Sequence, residues 1–131
     1  MSTFFHQISR FVVVGCAAAA THWAVAVACV AHLGLPPLVA NVAGWLTAFV
    51  VSFAGHFRLT FHHADLAWKQ AARRFFLVSA SGFAVNECAY AWLLHASGMR
   101  YDLLLALILE AVAGLTFIAS RWWAFRRSAG A

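Results

Sequence analysis

Four long apolar runs restrict what this chain can fold into. They cover residues 11–33, 38–57, 75–94 and 103–122, and each holds at least 20 residues. A helix needs about 20 apolar residues to cross the hydrocarbon core of a bilayer, and it satisfies its own backbone hydrogen bonds there. The runs lack the strict alternation of half-buried strands. The sequence therefore predicts an all-α integral membrane protein with four transmembrane helices.

Composition supports lipid as the solvent. The chain is 64% hydrophobic and 10% charged, whereas a soluble domain carries about 25% charged residues. With 131 residues, it has too little interior to hide so much apolar surface from water. We expect a single transmembrane domain over residues 1–131.

The basic residues predict the orientation. Segments 34–37 and 97–100 are short connections, and the longer segment 58–74 is charged. In that segment we expect Asp65 to cap a short interfacial helix over 66–74. Only Arg100 lies on the other side of this topology. The remaining eight basic residues share one side: Arg10, Arg58, Lys69, Arg73, Arg74, Arg121, Arg126 and Arg127. The positive-inside rule then places both termini in the cytoplasm.

The two halves match each other at a shift of 64 residues, without a gap. Arg10 matches Arg74, and Gly34 matches Gly98. The repeat halves cover residues 10–63 and 74–127. Because each half is a helical hairpin that enters from the same side, we interpret them as parallel repeats.

Polar residues inside the runs are candidate substrate-binding groups. Glu87 and Glu110 lie near the middle of their runs, where a charge costs about 2.5–3.5 kcal/mol on insertion scales. His22 and Asn86 occupy equivalent repeat positions. We predict a polar cavity between the hairpins lined by His22, Asn86 and Glu87. The alternative is a set of hydrogen bonds that only join helices.

The second helix begins with Asn41, a candidate gate residue on the outer side. Small residues follow the same helix face, and we interpret this row mainly as a packing surface. It also motivates a possible homodimer. The row consists of Ala40, Gly44, Ala48 and Ser52.

Arg58 and Arg121 lie at the cytoplasmic ends of the second and fourth helices. Their forked donors suit a lipid phosphate, although anchoring by snorkelling is an equal alternative. We interpret Trp45 as a residue of the membrane-interface belt, and Trp23 as deeper, facing lipid.

No catalytic motif occurs, so we expect no enzyme activity and no cofactor. His62 and His63 lack a third ligand at a suitable spacing for a metal. The basic residues flank apolar runs, which argues against nucleic acid as a partner.

Four motifs carry a family resemblance. The opening RFVVVG at 10–15 is echoed by RFFLV at 74–78, and aromatic and basic residues close each half at 53–61 and 117–125. This combination resembles the GtrA-like family over about residues 10–127. The resemblance implies flipping of a polyprenyl-phosphate-linked sugar across the cytoplasmic (inner) membrane, for modification of cell-surface polysaccharides.

Two alternatives stay open. The chain could be a non-transporting membrane partner of a glycosyltransferase. Less favoured is a small proton-coupled multidrug exporter, because such exporters place a glutamate in the first helix, and the first run here has none.

Overall fold

The chain forms four long helices. A computed structural model describes the backbone of residues 2–60 and 68–128, and the side chains of residues 3–59, 68–70 and 72–115. The helices are α1 (Ser2–Leu33), α2 (Pro37–Gly55), α3 (Trp68–Ser97) and α4 (Tyr101–Ser128), and a π-helical turn at His56–Thr60 extends α2. The structure is 94% helical, with no strand in the described parts of the chain. The prediction of an all-α fold is confirmed.

Two tight turns build the hairpins. Gly34 and Gly98, at equivalent repeat positions, have φ of +66° and +63°. This left-handed conformation favours glycine because a Cβ would clash with the following carbonyl. The Leu35 amide donates to the Cys29 carbonyl at 3.2 Å and closes the end of α1. Pro37 begins α2, where its missing N–H leaves no partner unsatisfied.

The prediction of a separate interfacial helix over 66–74 is wrong for residues 68–74, which the structure describes. α3 begins at Trp68 and continues through Arg74 to Ser97. No glycine or proline interrupts the chain between Trp68 and Phe76, so the helix has no reason to break at the membrane surface. Asp65 lies outside the described residues.

The helices form a ring in chain order, with α4 returning to α1. α1 and α2 approach most closely, because two glycines of α2 leave no side chain between them. A Cβ on Gly44 would lie 2.6 Å from the His22 carbonyl oxygen, and one on Gly55 would lie 2.8 Å from Val14. Ala40, Gly44 and Ala48 are buried inside the chain. The packing-surface prediction holds for these three, so this row does not support a homodimer.

Apolar contacts hold the bundle together on both sides of its middle. Towards the helix ends near segments 34–36 and 98–100, one cluster joins all four helices through Ala26, Ala40, Tyr90, Leu104, Leu105 and Ile108. Towards the opposite end, His56 lies between two rings. Its centroid is 4.9 Å from that of Phe11 and 5.8 Å from that of Phe75. The polar residues of interest lie between these two apolar regions.

The outer surface is apolar. Val13, Val50 and Val85 are each more than 60% exposed, as expected for side chains that face lipid. Two helical segments, Thr3–Leu33 and Pro37–Leu59, have mean hydropathies of 1.9 and 1.7 and are long enough to span a bilayer. α3 begins with basic residues that suit a membrane surface.

Candidate functional site

Four polar side chains meet between the two hairpins. His22 comes from α1, Asn41 from α2, and Asn86 and Glu87 from α3. His22, Asn41 and Asn86 are buried, with Asn41 0% exposed, and Glu87 is half-buried. All four were candidates from the sequence, and the structure brings them together as one polar cluster.

Asn41 is the centre of this cluster. His22 Nε2 donates to Asn41 Oδ1 at 2.6 Å. Asn41 Nδ2 donates to Asn86 Oδ1 at 2.9 Å and to Glu87 Oε2 at 2.6 Å. A carbonyl oxygen can only accept, so His22 carries a proton on Nε2 in this arrangement. Asn41 thus bridges the two hairpins inside the bundle, and it does not line an outer opening in this structure.

The cluster breaks the sequence repeat at one position. His22 and Asn86, 64 residues apart, bind opposite ends of the same amide. The repeat equivalent of Asn41 is Leu105, which is 1% exposed and belongs to the apolar core. The two halves therefore share a scaffold, but one half supplies the amide and the other supplies apolar packing.

Glu87 connects the cluster to a groove on the outside of the bundle. Its Oε2 is held by Asn41, while Oε1 has no hydrogen-bond partner among the described residues. The groove has a volume of about 420 Å³. Glu87 is the one polar residue in its lining, which consists of Leu38, Val39, Val42, Ala43, Leu46 and Glu87. The carboxyl group is thus the place where the cluster and the groove meet.

Glu110 lies elsewhere. It is exposed on α4, on the face opposite to the buried residues Leu105 and Ile108. It makes no hydrogen bond within the described part of the chain. The structure therefore separates the two glutamates, and Glu110 does not join the cavity that contains Glu87.

The basic candidates lie at the predicted cytoplasmic end. Arg58 is exposed in the π-helical turn, and Arg10 donates to the carbonyl of neighbouring Leu59 at 3.5 Å. Arg121 belongs to the last turns of α4, and its side chain is outside the described part. Phosphate binding by Arg58 and Arg121 stays a prediction.

Metal ligands do not gather in the described parts of the chain, where no three His, Cys, Asp or Glu side chains come together. His62 and His63 lie outside the described residues.

Two tryptophans make contacts that the sequence analysis missed. Trp45 Nε1 donates to Ser79 Oγ at 2.9 Å, and its ring stacks on Phe83 at 4.6 Å. Trp45 therefore packs between α2 and α3, and its interpretation as an interface-belt residue stays a prediction. The signal was its spacing, since Trp45 follows Asn41 by four residues and shares its helix face.

Trp23 makes the second missed contact. Its Nε1 donates to the Asp102 carbonyl at 3.0 Å and joins α1 to the first turn of α4. Trp23 is 38% exposed. The same side chain therefore bonds to α4 and also faces the outside of the bundle, as the sequence predicted.

The sequence of this chain matches a known family of membrane domains. The model of the family described as "GtrA/DPMS, transmembrane domain" matches residues 10–125. No curated protein and no solved structure matches the chain. The matched range includes most of all four helices. Domains of this kind are generally non-catalytic and take part in handling polyprenyl-phosphate sugars at membranes. The chain is therefore a membrane protein that belongs to the GtrA/DPMS transmembrane-domain family.

Proposed function

We propose that this protein moves a polyprenyl-phosphate-linked sugar across the cytoplasmic membrane. The sugar is then used to modify a cell-surface polysaccharide. The observation that carries the proposal is the polar cluster around Asn41, which lies between two hairpins in an otherwise apolar bundle. A sugar crossing hydrocarbon needs hydrogen-bond partners that lipid cannot offer. The cluster supplies such partners inside the bundle.

The chemistry of the cluster favours a neutral or amino sugar over an acidic one. Runs 11–33, 38–57 and 75–94 contain no Lys or Arg, so the cluster has a carboxyl group and no fixed cation. Glu87 Oε1 is available to accept from a hydroxyl or an amine. An anionic group placed there would have no cation to pair with, and an unpaired charge in low dielectric is costly.

The phosphate is expected at a different place. Arg58 and Arg121 belong to the ends of α2 and α4 that the positive-inside rule assigns to the cytoplasm. A lipid phosphate lies at the headgroup depth, where a guanidinium can bind it by two hydrogen bonds. In this proposal the arginines hold the phosphate before the sugar enters, and the cluster holds the sugar during passage.

Passage requires the two hairpins to separate slightly. The bond from Asn41 to Glu87 and the bond from Trp45 to Ser79 join the hairpins across the α2–α3 interface. A sugar hydroxyl can replace Asn41 as the partner of Glu87 with little loss of hydrogen bonding. We expect the hairpins to rock about this interface, as repeat units of transporters do, and no bond of the substrate to be broken.

A second candidate function has its own supporting observation. Glu110 points away from the bundle at the middle of a predicted span, and a carboxyl group facing lipid is costly. A helix of another membrane protein could cover it. This favours the alternative in which the chain serves a membrane glycosyltransferase as a non-transporting partner.

Purified protein in lipid vesicles separates the two functions. The vesicles contain a polyprenyl-phosphate hexose with a radiolabelled sugar, and an impermeant oxidant added outside destroys the sugars exposed there. Transport predicts that the protected fraction becomes reachable at a rate that rises with protein per vesicle. The partner function predicts no acceleration by the protein alone, and higher glycosyltransferase activity when both proteins share a vesicle. Uptake of a cationic dye driven by a proton gradient would support the exporter instead.

A further inference from the structure

We propose that the groove beside Glu87 holds the polyprenyl chain where it leaves the bundle, so that this chain enters and exits between α2 and α3. The inference rests on the proposed function and names the place of the lipid part of the substrate.

The groove has the shape and lining that such a chain requires. Leu38, Val42 and Leu46 follow each other at four-residue spacing on one face of α2, and they extend over about 12 Å at 1.5 Å per residue. Val39 and Leu46 are 52% and 47% exposed. The wall is therefore apolar and opens towards hydrocarbon, where a branched isoprenoid chain makes contacts at no cost in hydrogen bonds.

Glu87 makes the groove continuous with the polar cluster. One carboxylate oxygen is bound to Asn41 inside the bundle, and the side chain also lines the groove. A substrate with a polar head and a long apolar chain needs both environments side by side. A ring of four helices cannot enclose the long chain, so a sugar bound at the cluster requires a lateral opening beside it. The groove adjoins the cluster at Glu87.

The repeat explains why the side between α2 and α3 is open. A shift of 64 residues pairs Glu87 with Trp23, and pairs the groove residues Leu38 and Ala43 with Asp102 and Leu107. At the equivalent junction between α1 and α4, the Trp23 indole takes the place of the carboxyl group and is bonded to the Asp102 carbonyl. A bulky ring thus stands where the α2–α3 side presents a small acidic side chain. The asymmetry assigns the lipid path to α2 and α3.

The test fills the groove without touching the cluster. Ala43→Phe adds a ring to the groove wall, since Ala43 lines it. Ala28→Phe makes the same change on the exposed surface of α1 and serves as the matched control. Each purified variant is titrated with a long-chain polyprenyl-phosphate hexose and with an analogue that has a single isoprene unit. Thermal unfolding is measured beside each titration.

We expect Ala43→Phe to bind the long-chain lipid about tenfold more weakly, which corresponds to about 1.4 kcal/mol, and to bind the short analogue as the unchanged protein does. Ala28→Phe should bind both lipids normally. Equal affinity of Ala43→Phe and unchanged protein for the long-chain lipid would overturn the groove assignment alone. Failure of the unchanged protein to bind either lipid would overturn the proposed function as well.

A second measurement does not depend on a bulky substitution. A photoreactive benzophenone amino acid replaces Val42 in the groove, or Val13 on the exposed surface of α1. Illumination with the long-chain lipid should cross-link it at position 42 and not at position 13. Cross-linking of position 42 to a second copy of the protein, with no lipid adduct, would assign the groove to a dimer contact and overturn the inference.

Discussion

Asn41 Nδ2 lies 2.6 Å from Glu87 Oε2, and this hydrogen bond connects the two hairpins at the centre of the bundle. The other end of the same amide accepts from His22. A single side chain therefore ties α1, α2 and α3 together, and one of its partners, the Glu87 carboxyl group, also lines the groove. In our account, this is the contact that the sugar replaces.

Asn41→Leu tests the bridge. Leucine is similar in size to asparagine and occupies the equivalent repeat position, 105. The substitution therefore removes the side-chain amide with little change in volume. We expect lower thermal stability in detergent, because His22 and Glu87 lose their partner and such groups cost about 1–3 kcal/mol each when left unsatisfied.

A double-mutant cycle between Asn41→Leu and Glu87→Leu isolates the contact between these two side chains, because each change removes one of its partners. We expect a coupling of about 0.6 kcal/mol, the average found in such cycles for hydrogen bonds between membrane helices. Strictly additive effects on unfolding would contradict the bridge.

Gly44→Ala tests the close packing of α1 on α2. The new methyl group would lie 2.6 Å from the His22 carbonyl oxygen, and a backbone atom cannot move aside without separating the helices. We expect destabilisation of about 1–3 kcal/mol, as in other overpacked sites. Gly82→Ala is the control, since a Cβ there meets nothing within 4 Å, and a helical alanine is favoured over glycine. Similar unfolding temperatures for both variants would argue against the packing described.

The orientation can be tested by labelling. With Cys16, Cys29 and Cys88 replaced, a single cysteine at Met99 should react with an impermeant maleimide from outside intact cells. A cysteine at Thr3 should react only after the membrane is opened. The expectation follows from eight basic residues on one side and Arg100 on the other. Reaction of the cysteine at position 3 in intact cells would contradict the proposed topology.

The arginines at the predicted cytoplasmic end give a binding prediction. Arg121→Ala should weaken binding of a polyprenyl phosphate more than Arg127→Ala does, because Arg121 lies at the end of the apolar run, within the closing motif of the repeat, whereas Arg127 lies beyond it in α4. Arg121→Lys should restore only part of the loss, since lysine cannot form the forked pair of hydrogen bonds. Equal small effects of both alanine variants would instead indicate membrane anchoring.

Much of the fold could be predicted because the bilayer sets the length of each helix. Runs of 20 or more apolar residues and the glycines at 34 and 98 mark the helices and their turns. The repeat also pointed to His22 and Asn86, which both bind Asn41. The part played by Asn41 between them could not be predicted from the repeat, because its equivalent position holds the apolar core residue Leu105.

The direction of Glu110 could not be predicted. α4 is apolar on most of its circumference, so no polar stripe marks which face turns inward. Packing decides the rotation, and here Leu104, Leu105 and Ile108 take the interior. The same reason applies to Trp45, since residue type alone could not predict that its ring stacks on Phe83.

The most direct test of the account compares the two glutamates in the vesicle assay. Glu87→Gln keeps the size and a hydrogen-bonding amide but removes the carboxyl group beside the groove, and Glu110→Gln makes the same change on the outward face of α4. At equal protein density and with matched unfolding temperatures, we expect Glu87→Gln to lose at least about tenfold in initial transport rate, and Glu110→Gln to stay within about twofold of the unchanged protein. Normal transport by Glu87→Gln, or an equal loss in both variants, would contradict the assignment of the sugar to the cluster around Asn41.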